Sequence, residues 1–135
     1  MECLLPDERT LSELDHVRLS ALLRRVPAAA DRLEPLLDAA STLPPREVPP
    51  DLVTMHSRIE LVDADAGTRS TITLCYPDEA DAAQGAVSVL SPVGSALLGR
   101  SAGALARWRT PDGRDHAAQI VSLPYQPEAH GDFAA

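Results

Sequence analysis

Apolar side chains recur at Leu19, Leu22, Leu23 and Val26, and again at Leu33, Leu36, Leu37 and Ala40. Both sets follow the i, i+3, i+4, i+7 spacing that lays one apolar stripe along a helix. Two short amphipathic helices are therefore expected, with Ser12 or Asp15 capping the first. The break at Val26-Pro27 is short, so the helices should pack antiparallel, stripe against stripe. The pattern stops at LPPREVPPD (43–51), where Pro44, Pro45, Pro49 and Pro50 forbid helix and favour a stiff, extended connection.

Beyond that stretch the period falls from 3.6 to about two. Ile59 and Leu61 alternate with Arg58 and Glu60, and Ile72, Leu74 and Tyr76 alternate with Thr71, Thr73 and Cys75. These are strand patterns, and Asp65-Ala66-Gly67 supplies the turn of a hairpin between them. Thr110-Pro111-Asp112-Gly113 does the same for strands at 104–109 and 115–123. A further apolar run, 86–90, meets Ser91-Pro92, where a short helix is expected: Ser91 as N-cap, Pro92 in the first helical position, and Val93, Ala96 and Leu97 on one apolar face before Gly99 ends it. From Pro127 onward the chain reads as a loose tail. The expected organisation is α+β: a helical hairpin over 1–43, a proline-rich linker over 44–51, and an antiparallel sheet domain with one short helix over 52–135.

Composition narrows what such a chain can do. At 135 residues it holds one domain plus an appendage. Its net charge is −8, all twelve basic residues are arginine, and neither half gathers them into a stripe, which disfavours direct nucleic-acid binding. Cys3 and Cys75 are far apart with no Cys-x-x-Cys, pointing to a reducing compartment and to neither a disulfide scaffold nor a zinc knuckle. MECLLP is too short for a signal peptide and no apolar run approaches a membrane span, so a soluble cytoplasmic protein without a membrane partner is expected.

The search for chemistry is largely negative. No Gly-x-Ser-x-Gly elbow or phosphate-binding glycine loop is present, and His16, His56, His116 and His130 fall at no ligand spacing. Asp31 and Glu34, at i and i+3 near the turn between the two helices, form one acidic pair. Two carboxylates so placed can share a divalent ion, or Asp31 can cap the second helix with Glu34 as its capping-box partner. The aromatic inventory is Tyr76, Trp108, Tyr125 and Phe133, too small to furnish an apolar ligand pocket, and Trp108 reads as the core anchor of the sheet. No catalytic residue, cofactor or small-molecule ligand is expected. The residues by themselves describe a protein-binding module.

SPVGSALLGRSAG (91–103) followed by PDG (111–113) resembles the C-terminal domain of the Gre transcript-cleavage factors. DLVTMHSRIEL (51–61), LCYPDEA (74–80) and YQPEAHGD (125–132) are similar to the regulators of nucleoside diphosphate kinase, Gre relatives with a shortened helical hairpin. Two positions depart from the Gre pattern: Leu90 stands where an acidic residue often precedes Ser-Pro, and Ala104 follows Gly103 in place of an aspartate. The resemblance implies an FKBP-like sheet domain and a non-enzymatic, monomeric transcription regulator that binds RNA polymerase at its secondary channel. It would dock through Ser91 and Pro92, compete with Gre-type factors, and influence nucleoside diphosphate kinase levels. It also implies two alternatives: a transcript-cleavage factor that delivers a metal through Asp31 and Glu34, and a prolyl isomerase.

Overall fold

The computed structural model describes residues 9–27 and 30–131, without the side chains of 30–32, 82 and 130. Cys3, Phe133 and the side chains of Asp31 and His130 lie outside the described residues. The chain begins with β1 (Thr10–Ser12), α1 (Glu13–Arg25), α2 (Ala30–Ala39) and β2 (Ser41–Leu43). After a 3-10 turn at Pro45–Glu47 come β3 (Arg58–Asp63), β4 (Arg69–Cys75), β5 (Ala86–Ser88), α3 (Pro92–Leu97), β6 (Leu105–Arg109) and β7 (Asp115–Tyr125). No described helix is long and apolar enough to cross a membrane.

The helix starts follow from hydrogen-bonding side chains. Ser12 Oγ accepts from the Asp15 amide at 3.0 Å, so Ser12 caps α1 and Asp15 does not. Asp15 instead points inward. The second helix starts at Ala30, which places Asp31 inside its first turn rather than before it, and Pro35 sits mid-helix, where its missing N–H leaves the carbonyl four residues earlier without the usual donor.

The larger sheet runs in the order β5-β4-β3-β7-β6. Both expected hairpins are present, with Ile59 opposite Ile72 across β3 and β4, and Ala106 opposite Ala118 across β6 and β7. One pairing departs from an all-antiparallel sheet, because β5 runs parallel to β4. The cause is the connection between them: 3-10 turns at Pro77–Glu79 and Ala82–Gln84 carry the chain back before it pairs again. A second sheet was not legible in the pattern: β1 and β2 pair in parallel, Thr10 opposite Ser41, and close the base of the helical segment. Three residues are too few to show a period.

Among the described residues one core is shared by the helical segment and the sheet. Leu11, Leu19, Leu22, Leu33 and Leu37 from the helical segment pack in one cluster with Ile59, Leu74, Leu97, Leu98 and Ile120. The C-terminal segment is docked rather than loose. Gln126 is buried, its Nε2 donates to the carbonyls of Pro49 and Leu52, and a 3-10 turn at Glu128–His130 follows. Trp108 is not the buried anchor that its strand position suggests. It shares a face with Ala106, which is fully buried, but sits farther along an edge strand, half-buried and stacked on His116 at 5.8 Å and 13°.

Candidate functional site

The corner at Ser91-Pro92 is built by short-range hydrogen bonds. Ser91 Oγ donates to the Ser88 carbonyl at 2.7 Å and accepts from the Gly94 amide at 3.1 Å, so the hydroxyl ties the end of β5 to the start of α3. Ser95 Oγ donates back to the Ser91 carbonyl at 3.0 Å. Gly94 makes the close approach possible, since a Cβ there would lie 2.1 Å from the Ser88 oxygen. With Ser91 committed inward, Pro92 is the residue of the pair that faces a groove.

That groove, about 800 Å³, runs between α2, the first turn of α3 and the edge strand β6. Leu36 and Ala39 contribute from α2, Pro92 from the corner, and Trp108 and Pro111 from β6 and its turn. Arg9, Arg107 and Arg109 also line it, and among the described residues no carboxylate does. Arg9 Nη1 donates to the carbonyls of Ser95 and Leu98, while Arg109 pairs with Asp115 at 2.8 Å at an exposed position.

A second cleft of about 470 Å³ lies over α1, lined by Arg18, Arg25, His56, Tyr76, Asp78 and Glu79. His56 holds φ +68°, an uncommon value for a side-chain-bearing residue. It completes a turn in which the Ser57 amide donates to the Thr54 carbonyl. Its ring meets Glu79 Oε1 at 2.9 Å and the Tyr76 ring edge-on at 5.6 Å. The His56 hydrogen bond holds the Glu79 carboxyl below its ordinary range, and burial, helped by the Asp15 charge, pushes the Tyr76 hydroxyl up to about 12.

Beneath this cleft Asp15 is 1% exposed, and its Oδ2 accepts from the Met55 amide at 3.0 Å. Burial pushes its carboxyl up to about 6; the Met55 amide opposes the rise and the Glu128 charge adds to it. Thr54 Oγ1 donates to Glu128 Oε1 at 2.8 Å, so three distant parts of the chain meet here: α1, the 54–57 turn and the C-terminal turn.

The description "Transcription elongation factor, GreA/GreB, C-term" matches residues 48–125, a span that holds the Ser91-Pro92 corner, the sheet and α3. The chain belongs to the GreA/GreB family. Within that family it is 37% identical over 127 residues to the regulator of nucleoside diphosphate kinase of Escherichia coli (strain K12), covering 91% of this chain and 93% of that one. A solved structure, the prokaryotic transcription elongation factor GreA/GreB from Nitrosomonas europaea, superposes with a TM-score of 0.72 at 36% identity over 87% of this chain and 99% of that one. Transcription elongation factor GreA of Desulfovibrio desulfuricans is 45% identical over 64 residues, which span 47% of this chain but only 40% of GreA.

The GreA/GreB-type motifs quoted from the sequence now have physical roles. DLVTMHS and YQPEAHGD meet through Thr54 and Glu128 and through Gln126, whose amide bonds the Pro49 and Leu52 carbonyls, and the Met55 amide on Asp15 ties the first of them to α1. Ser-Pro-x-Gly builds the corner. Of the acidic pair, Glu34 is exposed and the Asp31 side chain lies outside the described residues. Among the described residues no three His, Cys, Asp or Glu side chains are grouped to hold a metal. Cys75 is buried, and burial pushes its thiol up, the opposite of what a nucleophile requires. Sequence reasoning missed Arg9 and Arg107 as groove residues and Asp15 as a buried carboxylate. Alternation along LARWR separates Arg107 from Trp108 by face, but only packing against α3, with α2 across the gap, turns that strand into one wall of a groove.

Proposed function

We propose that this chain is a non-enzymatic transcription regulator that binds RNA polymerase at its secondary channel as a monomer in the cytoplasm. It competes there with Gre-type factors and influences nucleoside diphosphate kinase levels through transcription. The supporting observation is that the likeness to the regulator of nucleoside diphosphate kinase runs along nearly the whole of both chains, whereas the likeness to GreA of Desulfovibrio desulfuricans covers 40% of that protein. In this reading 1–43 is a helical hairpin, 44–51 a linker, and 52–135 a Gre-type, FKBP-like domain that docks through Ser91 and Pro92. A capped first turn with proline in it is rigid, so little entropy is lost on docking.

Substituting Ser91 and Pro92 together by Ala tests this. Loss of the cap should cost roughly 0.5–2 kcal/mol of stability, so the variant is first checked by its thermal transition. The folded variant should bind core polymerase at least tenfold more weakly and lose its ability to displace a Gre factor, because central interface contacts commonly cost about 2 kcal/mol or more on truncation. Unchanged affinity would place the contact elsewhere.

Reach argues against metal delivery by Asp31 and Glu34. The helices have 13 and 10 residues, and at 1.5 Å per residue the longer extends only about 20 Å. Added to backtracked polymerase with Mg²⁺, the protein is expected not to shorten the nascent RNA; shortening abolished by Asp31→Asn would reverse this. Isomerase activity is disfavoured because Tyr76 and Trp108, two of the few aromatic residues, line different clefts.

A further inference from the structure

The edge of the larger sheet at β6 is open. In an antiparallel pair the residues alternate between those that bond the neighbouring strand and those whose backbone N–H and C=O point away from it. The Thr110 amide bonds the Arg114 carbonyl at 3.0 Å and the Ile120 amide bonds the Ala104 carbonyl at 2.9 Å, so the residues bonded to β7 are the even-numbered ones. In the register of Leu105 opposite Gln119, Trp108 and Ala106 bond inward, while Leu105, Arg107 and Arg109 turn their backbone groups to the open side. Edge strands usually carry charge that blocks pairing with other chains, and here that charge is of one sign.

The groove beside this edge shares it. Arg9, Arg107 and Arg109 stand on its walls, and among the described residues no carboxylate lines it, in a chain whose net charge is −8; Arg109 is paired with Asp115, which lies outside the lining. Among the described residues Arg107 has no ionic partner, and Trp108 offers the groove a half-buried indole whose other side is stacked on His116. Leu105, at the start of the strand, is 41% exposed.

We propose that β6 and its groove accept an extended, acidic segment of the polymerase as an added strand, paired to the outward backbone of Leu105, Arg107 and Arg109, with its carboxylates on Arg107 and its apolar side chains against Trp108 and Pro92. Main-chain pairing holds such a segment and the groove selects its charge. A single-stranded nucleic acid is the weaker fit, because it cannot use the open backbone edge and meets an acidic protein everywhere else. The choice of polymerase as the source rests on the function proposed above.

Two probes separate this inference from that function. The first is the full chain with an octapeptide of alternating Glu and Val, with the Lys-Val octapeptide and oligothymidylate as controls. It is read by the emission of Trp108, the only tryptophan, and by amide exchange. The Glu peptide alone should shift the emission and protect the amides of Leu105, Arg107 and Arg109. The second is core polymerase, where exchange over 104–110 should slow in the complex. Arg107→Pro removes one outward N–H without touching a bond to β7, a placement that edge strands tolerate. It should weaken both complexes at least tenfold while the thermal midpoint holds. If it does not fold, Arg107→Glu keeps the edge amide, reverses the charge, and should weaken both at least fivefold. Absence of polymerase binding by the unsubstituted chain overturns the proposed function but leaves the peptide arm to decide the edge. Unprotected β6 amides in the complexes that form, or full affinity in folded Arg107→Pro, overturns strand addition. Preference for the Lys peptide or the oligonucleotide overturns the acidic occupant.

Discussion

Gly94→Ala is expected to destabilise the protein by about 3 kcal/mol, the upper part of the range for forcing an atom into a close-packed site. The added methyl would meet the Ser88 carbonyl oxygen at 2.1 Å and its carbon at 2.9 Å. Both are backbone atoms that cannot swing aside. Relief would have to come from moving α3 off β5, which also breaks the Ser91 hydroxyl contacts to Ser88 and Gly94. Gly67→Ala is the control. It too replaces a glycine, at φ +69°, but nothing lies within 4 Å of the new Cβ, so only the left-handed backbone penalty of roughly 1–2 kcal/mol applies. Chemical denaturation of the three proteins should rank them wild type, Gly67→Ala, Gly94→Ala. A Gly94→Ala midpoint equal to that of the wild type would mean that α3 does not sit against Ser88 as described.

The second large effect is a pH dependence carried by Asp15. Its folded-state carboxyl is raised from 3.8 to about 6, chiefly by burial. A raised acid binds its proton more tightly when folded, so its contribution to stability is complete below pH 3.8 and is lost as pH rises through 6. A shift of that size corresponds to about 3 kcal/mol between acid and neutral conditions. Asp63, Glu79, Asp112 and Asp115 are shifted the other way, so their contributions are lost as pH falls below the ordinary carboxylate range, opposite in direction to that of Asp15. Thermal midpoints should therefore fall by several degrees from pH 5 to pH 7.5. Asp15→Asn keeps an oxygen for the Met55 amide, removes the titration, and should flatten that slope; an unchanged slope in this variant would be evidence that another group carries it.

The outcome at α3 shows how much local chemistry can specify. Ser91, Pro92 and the apolar face of Val93, Ala96 and Leu97 define a capped, proline-started helix from adjacent residues alone, and the helix forms over Pro92–Leu97 with Ser91 as its cap. The strands at Ile59 and Leu74 were legible for the same reason, because period-two alternation with Gly67 and Gly113 at the turns is a short-range code. Family membership was legible too, in the Ser-Pro-x-Gly corner and the two motifs that flank the sheet.

Asp15 marks the limit of such reading. From the sequence it is one of two acceptable caps; its burial depends on Met55, 40 residues away, presenting an amide, and on Glu128 closing over the turn beside it. The parallel placement of β5, the two-stranded sheet of β1 and β2, and the half-exposure of Trp108 have the same origin. Each depends on which distant segment packs alongside, and pairing between segments leaves no period in either one. The sequence by itself determined the helices, the strands of the two hairpins, their turns and the capped corner, because propensity, capping and alternation act over a few residues. Only the tertiary structure decided which charges are buried, which strand stands at the edge, and that three arginines from two ends of the chain face one groove.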